Sequence, residues 1–129
     1  MNDSRQLLDS PLFQALANLT FDSVMVTEPA DDQGGHTVIF VNKGFTDMTG
    51  YAAEEVLGQT PGILQGPKTD KALTDRLAED LRQGRTFHGS TVNYRKDGSP
   101  FDIEWKVTPV MRDGRVTHYL AVQRDITGH

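Results

Sequence analysis

Apolar residues near the start of the chain recur at the spacing of a helix. Ser10-Pro11 places a capping residue before a proline at the first helical position, which marks a helix start. Three leucines then lie three or four positions apart, at Leu12, Leu16 and Leu19. The pattern predicts a short amphipathic helix that ends near Thr20. We therefore interpret residues 1–20 as an N-terminal cap segment and residues 21–127 as the main domain.

Two short runs rich in β-branched residues follow, at positions 24–27 and 37–42. Both have the length of a strand, and the second is a continuous apolar stretch typical of a buried strand. The intervening residues 28–35 collect proline, aspartate and glycine, which indicates a loop. This part of the chain therefore predicts two strands joined by a loop.

Helical patterns occupy the middle of the chain. Short stretches at residues 43–49 and 53–57 are each followed by a glycine, which is a natural helix stop. A longer stretch, residues 69–83, carries three leucines on one face, Leu73, Leu77 and Leu81. Gly84 lies where a glycine commonly ends a helix. We predict two short helices and then one long helix.

The last third of the chain predicts three consecutive strands, at residues 87–96, 101–112 and 115–126. Asp97-Gly98 and Asp113-Gly114 separate them, and such dipeptides favour tight hairpin turns. Pro109 lies late in the middle strand, where its missing N–H predicts a bulge or bend. The order of elements predicts an α+β fold. We expect a five-stranded antiparallel sheet with the short helices and the long helix on one face, plus the N-terminal helix.

Alternation along the last three strands assigns their side chains to two faces of the sheet. In the register that the two turns require, Asn93, Ile103 and Gln123 lie roughly side by side on the face towards the helices. Two amides in an apolar pocket need hydrogen-bond partners. A ligand with several donors and acceptors would supply them. Bonds to each other, to backbone or to water would also satisfy them.

The opposite face carries apolar side chains that need cover, namely Val92, Tyr94, Leu120 and Val122. The N-terminal helix, with its three leucines, is a natural cover. A partner subunit would serve equally, because exposed apolar patches mark interfaces. We therefore expect a homodimer formed through the N-terminal helix and the outer face of the sheet.

Composition argues against several classes of function. The chain has 129 residues and no cysteine, which excludes disulfides, thiol nucleophiles and thiol-linked chromophores. The net charge is −5 and no basic run is present, so nucleic-acid binding is not expected. The four histidines lack the spacing of a metal site, so none is predicted. Without a nucleophile motif or a phosphate-binding glycine loop, we predict that the chain is not an enzyme.

Short motifs in both halves of the chain resemble those of PAS domains. The first half contains Asn42-x-x-Phe45, Thr49-Gly50-Tyr51 and Glu54-Glu55-Val56-Leu57-Gly58. The second half contains Asn93-Tyr94-Arg95-Lys96-Asp97-Gly98, Pro109-Val110 and Val122-Gln123-Arg124-Asp125-Ile126-Thr127. The resemblance covers about residues 21–127 and implies the PAS fold. It also suggests an ion pair between Lys96 and Glu54 or Glu55.

Within that family the chain is most similar to LOV domains, which are flavin-binding light sensors. The resemblance implies that Gln65, Asn93 and Gln123 match residues that contact flavin. Three other positions depart from the LOV pattern: Pro61 stands where the photoactive cysteine lies, Gly62 where an arginine meets the flavin phosphate, and Ile103 where a second asparagine lies. Our candidate pocket therefore consists of Gln65, Asn93, Ile103 and Gln123.

The departures bear on the cofactor. Without a thiol, the flavin adduct cannot form, and the missing arginine removes a charge-assisted hydrogen bond of about 1.5–3 kcal/mol. FMN or FAD remains a possible ligand, but we expect the pocket to hold no cofactor. Haem is not expected, because the haem-bearing PAS domains usually place their axial histidine on the long helix and residues 69–83 contain none.

The function that this resemblance implies is regulatory. We expect a sensor module of a signal-transduction protein, in which the last strand passes a signal to an output domain such as a histidine kinase or a diguanylate cyclase. Two alternatives are a LOV-like flavin-binding photoreceptor or redox sensor without a cysteine adduct, and a ligand-free dimerisation module. No run approaches the roughly 20 apolar residues of a membrane span, and the N-terminus is polar, so we predict a cytoplasmic protein. We also expect the chain to be a segment of a longer protein.

Overall fold

A computed structural model describes residues 3–30 and 35–128 of the chain. Two helices come first, and the remaining helices lie between the second and third strands. The helices are α1 (Asp3–Leu8), α2 (Pro11–Leu19), α3 (Lys43–Thr49), α4 (Ala53–Val56) and α5 (Lys71–Arg82), with a 3₁₀ helix at Pro61–Leu64. The strands are β1 (Ser23–Pro29), β2 (His36–Val41), β3 (Phe87–Tyr94), β4 (Pro100–Arg112) and β5 (Arg115–Asp125).

All five strands form one antiparallel sheet in the order β2-β1-β5-β4-β3. The C-terminal strand β5 therefore lies at the centre of the sheet, between the first strand and the hairpin partner β4. Helices α3, α4 and α5 pack on one face of the sheet, which we call the inner face. The predicted α+β fold, with a five-stranded antiparallel sheet, short helices and an N-terminal helix, is confirmed.

The core lies between the inner face and those helices. Its fully buried side chains come from both layers and include Phe45, Val56, Leu64, Phe87, Phe101 and Ile103. Each such side chain contributes about 1.5–3 kcal/mol through its removal from water. Trp105 joins the same cluster and packs against Phe87, with their ring centroids 5.0 Å apart.

Most predicted elements are present, with shifted ends. The long helix begins at Lys71 rather than at residue 69, because Asp70 caps it by accepting hydrogen bonds from the N–H groups of Ala72 and Leu73. The sequence analysis missed α1 and the 3₁₀ helix, both too short to show an apolar period. Residues 31–34 of the predicted loop lie outside the described residues, and β1 continues through Pro29.

The two predicted turns of the meander are present, and they differ in form. Asp113 and Gly114 have φ values of 53° and 78°, as a two-residue hairpin turn with left-handed central residues requires. The turn at Asp97-Gly98 is wider and is closed by the backbone of Arg95. The irregularity predicted at Pro109 falls one step later, between Val110 and Met111.

The N-terminal helix corrects one expectation. Leu12, Leu16 and Leu19 do not cover the sheet, since they are 80, 68 and 80% exposed. The helix α2 instead approaches the outer face through Phe13, whose ring meets that of Phe40 edge-on at 5.0 Å. An amphipathic period identifies a helix but does not say which side faces the sheet. This helix has two apolar stripes, one of leucines and one of Phe13 and Ala17, and the second stripe is the buried one.

Candidate functional site

Three of the four predicted pocket residues lie together on the inner face. Asn93 in β3, Ile103 in β4 and Gln123 in β5 are 9, 0 and 6% exposed. The sequence analysis expected them to lie roughly side by side, but they are not directly opposite one another. Asn93 pairs with Phe101, and Gln123 pairs with Trp105. The three side chains therefore form a diagonal across three strands, with Ile103 in the middle and steps of about 7–8 Å.

A hydroxyl of the chain lies near each buried amide of this diagonal, and the short hydrogen bond is the one to Gln123. Ser23 in β1 donates its Oγ–H to Gln123 Oε1 at 2.8 Å. Thr69, just before α5, lies 3.5 Å from Asn93 Oδ1 through its Oγ1, and the same hydroxyl is 2.6 Å from the Val92 carbonyl. The sequence analysis missed both hydroxyl residues. Ser23 becomes recognisable only once β1 is known to pair with β5, across 100 positions of sequence.

The fourth predicted residue does not join the others. Gln65 is exposed and follows the 3₁₀ helix, where its backbone N–H donates to Gly62. Pro61 and Gly62 lie in the first turn of that helix, which Thr60 caps by accepting a hydrogen bond from the Gly62 N–H. The structure therefore brings together Asn93, Ile103 and Gln123, and it leaves Gln65 at the surface.

These residues do not fit the flavin that the LOV resemblance implies. Gly62 offers no charge for a phosphate, Pro61 offers no thiol, and Ile103 offers no amide. Among residues 3–30 and 35–128, the buried side-chain polar atom that lacks a hydrogen-bond partner is His118 Nε2. The acceptor oxygen of Gln123 is engaged by Ser23, so a flavin would have to displace that hydrogen bond.

The exit of β5 is tied to the sheet by a compact set of polar contacts. Asp125 Oδ1 accepts hydrogen bonds from the Thr127 N–H at 2.9 Å and the Thr127 hydroxyl at 2.6 Å. The Thr127 hydroxyl in turn accepts from the Asp102 N–H, and the Ile126 N–H donates to the Asp102 carbonyl. The chain leaving the central strand is therefore fixed against its neighbour β4.

Arg95 connects this exit to the helical layer. Its guanidinium donates to Asp125 Oδ2 at 2.8 Å and to the Met48 carbonyl of α3 at 2.7 Å. It also lies over the ring of Phe101, 4.5 Å from the centroid. Partial burial raises the pKa of Asp125, but the hydrogen bonds from Thr127 and the Arg95 charge outweigh burial and hold that pKa below its usual value.

A second ion pair fixes the turn after β3. Lys96 Nζ lies 2.6 Å from Glu55 Oε2, so the pair that the resemblance suggested is present and Glu55 is its acidic partner. The hydrogen bond from Lys96 is the main cause of a lowered pKa at Glu55. Both side chains are exposed, so the pair orients the turn against α4 rather than stabilising the core.

The outer face of the sheet forms an open groove of about 570 Å³. Leu120 and Val122 of β5 lie at its floor, and charged side chains lie around them. Glu104 contacts His88 at 2.9 Å on one side and Arg124 at 4.0 Å on the other. The groove therefore combines an apolar floor with charges of both signs.

The structure offers neither a metal centre nor a membrane span in the part of the chain that it describes. No group of three or more metal-ligating side chains is gathered there. No helix there is long and apolar enough to cross a membrane.

Comparison with known proteins agrees with this geometry. A family model described as a PAS domain matches residues 22–128. The chain is 43% identical over 96 residues to Protein TWIN LOV 1 of Arabidopsis thaliana, an alignment that covers 73% of this chain and 24% of that protein. It is 36% identical over 110 residues to a blue-light photoreceptor of Listeria monocytogenes, covering 85% of this chain and 43% of that protein. The chain thus spans less than half the length of either relative.

A solved structure gives the same result. The LOV domain from the Erythrobacter litoralis EL346 blue-light activated histidine kinase is similar with a TM-score of 0.76 at 30% identity. The match covers 82% of this chain and 96% of that domain. The chain therefore belongs to the PAS domain family, within which it is similar to the LOV photoreceptor domains.

Proposed function

We propose that this chain is the sensor module of a cytoplasmic signal-transduction protein and that it signals through β5 to an output domain. The observation that carries the proposal is the position of Gln123. It lies two residues before Asp125 on the same face of the same strand. A change at the buried amide therefore acts on the strand whose end is held by Arg95 and Thr127.

Hydrogen-bond energies are large enough for such signalling. A module with two states of the exit responds to any interaction that differs between them. One hydrogen bond contributes a net 0.5–1.5 kcal/mol, which shifts a two-state equilibrium by about two- to twelvefold. The bond between Ser23 and Gln123 is therefore sufficient to bias the output without a large movement.

A histidine kinase is the output class that we favour, with a diguanylate cyclase as the other class considered. The similar LOV domain of Erythrobacter litoralis EL346 comes from a blue-light activated histidine kinase. The cysteine–flavin adduct does not transfer with that likeness, because this chain has no cysteine.

A chimera tests the proposal. This chain replaces the LOV domain of the Erythrobacter kinase, and autophosphorylation is measured with and without Gln123→Ala. We expect the substitution to change kinase activity about two- to twelvefold, because it removes the acceptor of the Ser23 hydroxyl. Gln65→Ala is the matched control, since that amide is exposed. Equal activity of the parent chimera and a folded Gln123→Ala chimera would contradict the proposal.

We further propose that the module acts as a homodimer. Three leucines of α2 are exposed in one stripe, and the outer face carries the groove floored by Leu120 and Val122. A second copy of the chain would bury both apolar surfaces.

A further inference from the structure

Asn42, at the end of β2, is a buried amide with four side-chain hydrogen bonds. Its Nδ2 donates to the Ala17 carbonyl of α2 at 2.6 Å and to the Asp22 carbonyl at 3.0 Å. Its Oδ1 accepts from the N–H of Val24 at 2.8 Å and from that of Phe45 at 3.0 Å. One side chain thus joins the N-terminal helix, the start of β1 and the start of α3.

The start of β1 is held from two sides. Asn42 binds the backbone of Asp22 and of Val24, and the residue between them is Ser23, whose hydroxyl binds Gln123. The packing of α3 against residues 22–24 leaves this backbone little room to move independently of the helix. A side chain at Gly44 of α3 would come within 2.5 Å of the Asp22 carbonyl, so α3 packs directly on this backbone.

The N-terminal helix is attached at this junction rather than along its length. Ala17 accepts from Asn42, and Asn18 Oδ1 accepts from the Lys43 N–H at 2.8 Å. Phe13 contributes the ring contact with Phe40, while the leucines of the other stripe remain exposed. A displacement of α2 therefore acts on Asn42 and on residues 22–24 directly.

We infer that α2 is the input of this sensor and that Asn42 and Ser23 carry its position to Gln123 and the exit of β5. The inference deepens the proposed function and rests on it. In this arrangement Ser23 occupies the acceptor of Gln123 that an interior ligand would otherwise engage. A second copy of the chain, bound to the exposed leucine stripe of α2, is then the signal.

Amide hydrogen exchange on the whole chain tests the relay. Phe13→Ala loosens α2, and Gln14→Ala is the matched control, because Gln14 is exposed on the same helix outside the leucine stripe and bonds the Leu8 carbonyl. The readout is exchange at Ile126 and Thr127, whose N–H groups bond at the exit. We expect Phe13→Ala to accelerate exchange there by about threefold or more, and Gln14→Ala to leave it unchanged.

A double-mutant cycle with Ser23→Ala separates the relay from general loosening. In the Ser23→Ala background, the further change Phe13→Ala should no longer alter exchange at the exit. An effect of Phe13→Ala that is the same in both backgrounds would overturn the inference. A rise that is uniform across β3 and β4 would also overturn it, since that reports global unfolding.

Two features keep the test decisive. If Phe13→Ala does not fold, Asn18→Ala replaces it, because it removes a single exposed hydrogen bond of the same helix. The exchange measurement needs no output domain. If Ser23→Ala abolishes the effect of Phe13→Ala but the kinase chimera does not respond to Gln123→Ala, the proposed output is rejected and the relay is retained. If the chimera responds but Ser23→Ala does not alter the effect of Phe13→Ala, only the relay is rejected.

Discussion

Two side chains of β5, Gln123 and Asp125, make different kinds of contact. Gln123 faces the interior and binds Ser23, whereas Asp125 faces the exit and binds Arg95 and Thr127. Gln123 depends on a partner 100 positions away, whereas Asp125 combines the distant Arg95 with Thr127, two residues along the chain. Alternation along the strand was sufficient to predict that Asn93, Ile103 and Gln123 share a face. Their hydroxyl partners were not predictable, because they follow from the pairing of β1 with β5 and from the loop before α5.

The Asp125 contacts predict a pH dependence. The folded-state pKa of Asp125 lies below its ordinary value of 3.8, so the charged form stabilises the fold. That contribution is fully present above the ordinary value and is lost as the pH falls through the folded-state pKa. We expect the difference in unfolding free energy between the parent chain and Asp125→Asn to be constant above about pH 5 and to shrink towards zero in stronger acid.

Urea denaturation of both proteins across this range measures the difference. Asp75→Asn is a suitable control, since it changes an exposed carboxyl of α5 that is remote from the exit. A difference that grows as the solution becomes more acidic would show that the sign assigned to Asp125 is wrong.

At the scale of elements, the strands and the long helix follow from apolar period and turn residues, and their types were predictable. The ends of these elements were harder to predict, because capping by Asp70 and the closure of the turn at Arg95 depend on individual hydrogen bonds. The orientation of α2 was predicted wrongly for a physical reason. Its leucines form the larger apolar stripe, yet Asn42 and Phe40 hold the opposite stripe against the sheet. The exposed leucine stripe of α2 is therefore available to contact a partner.

That stripe and the outer groove predict self-association. Leu16→Glu and Val122→Glu each place a charge on one of the two apolar surfaces, and burial of an unpaired charge is unfavourable. We expect each variant to shift the chain from dimer towards monomer in light scattering at matched concentration. Asp75→Lys, an exposed change on α5, serves as the control. Dimers that persist in both variants would exclude this interface, and a monomeric parent chain would exclude the dimer.

The whole molecule has the PAS fold. The five-stranded sheet and its helices are those of LOV domains, with a TM-score of 0.76 to one of them. The sequence differs from the LOV pattern at Pro61, Gly62 and Ile103, and Gln123 accepts a hydrogen bond from Ser23. The central claim is therefore that Gln123 is engaged by the chain itself rather than by a flavin.

The most direct test is a titration of the purified chain with FMN and with riboflavin, followed by flavin fluorescence and visible absorbance. The Listeria monocytogenes blue-light photoreceptor serves as a positive control. The account predicts that this chain changes neither signal, because Ser23 engages Gln123, Ile103 stands in place of an amide, and Gly62 offers no charge for a phosphate. Saturable quenching that Gln123→Ala weakens would contradict it, since Gln123 would then bind a flavin in place of Ser23.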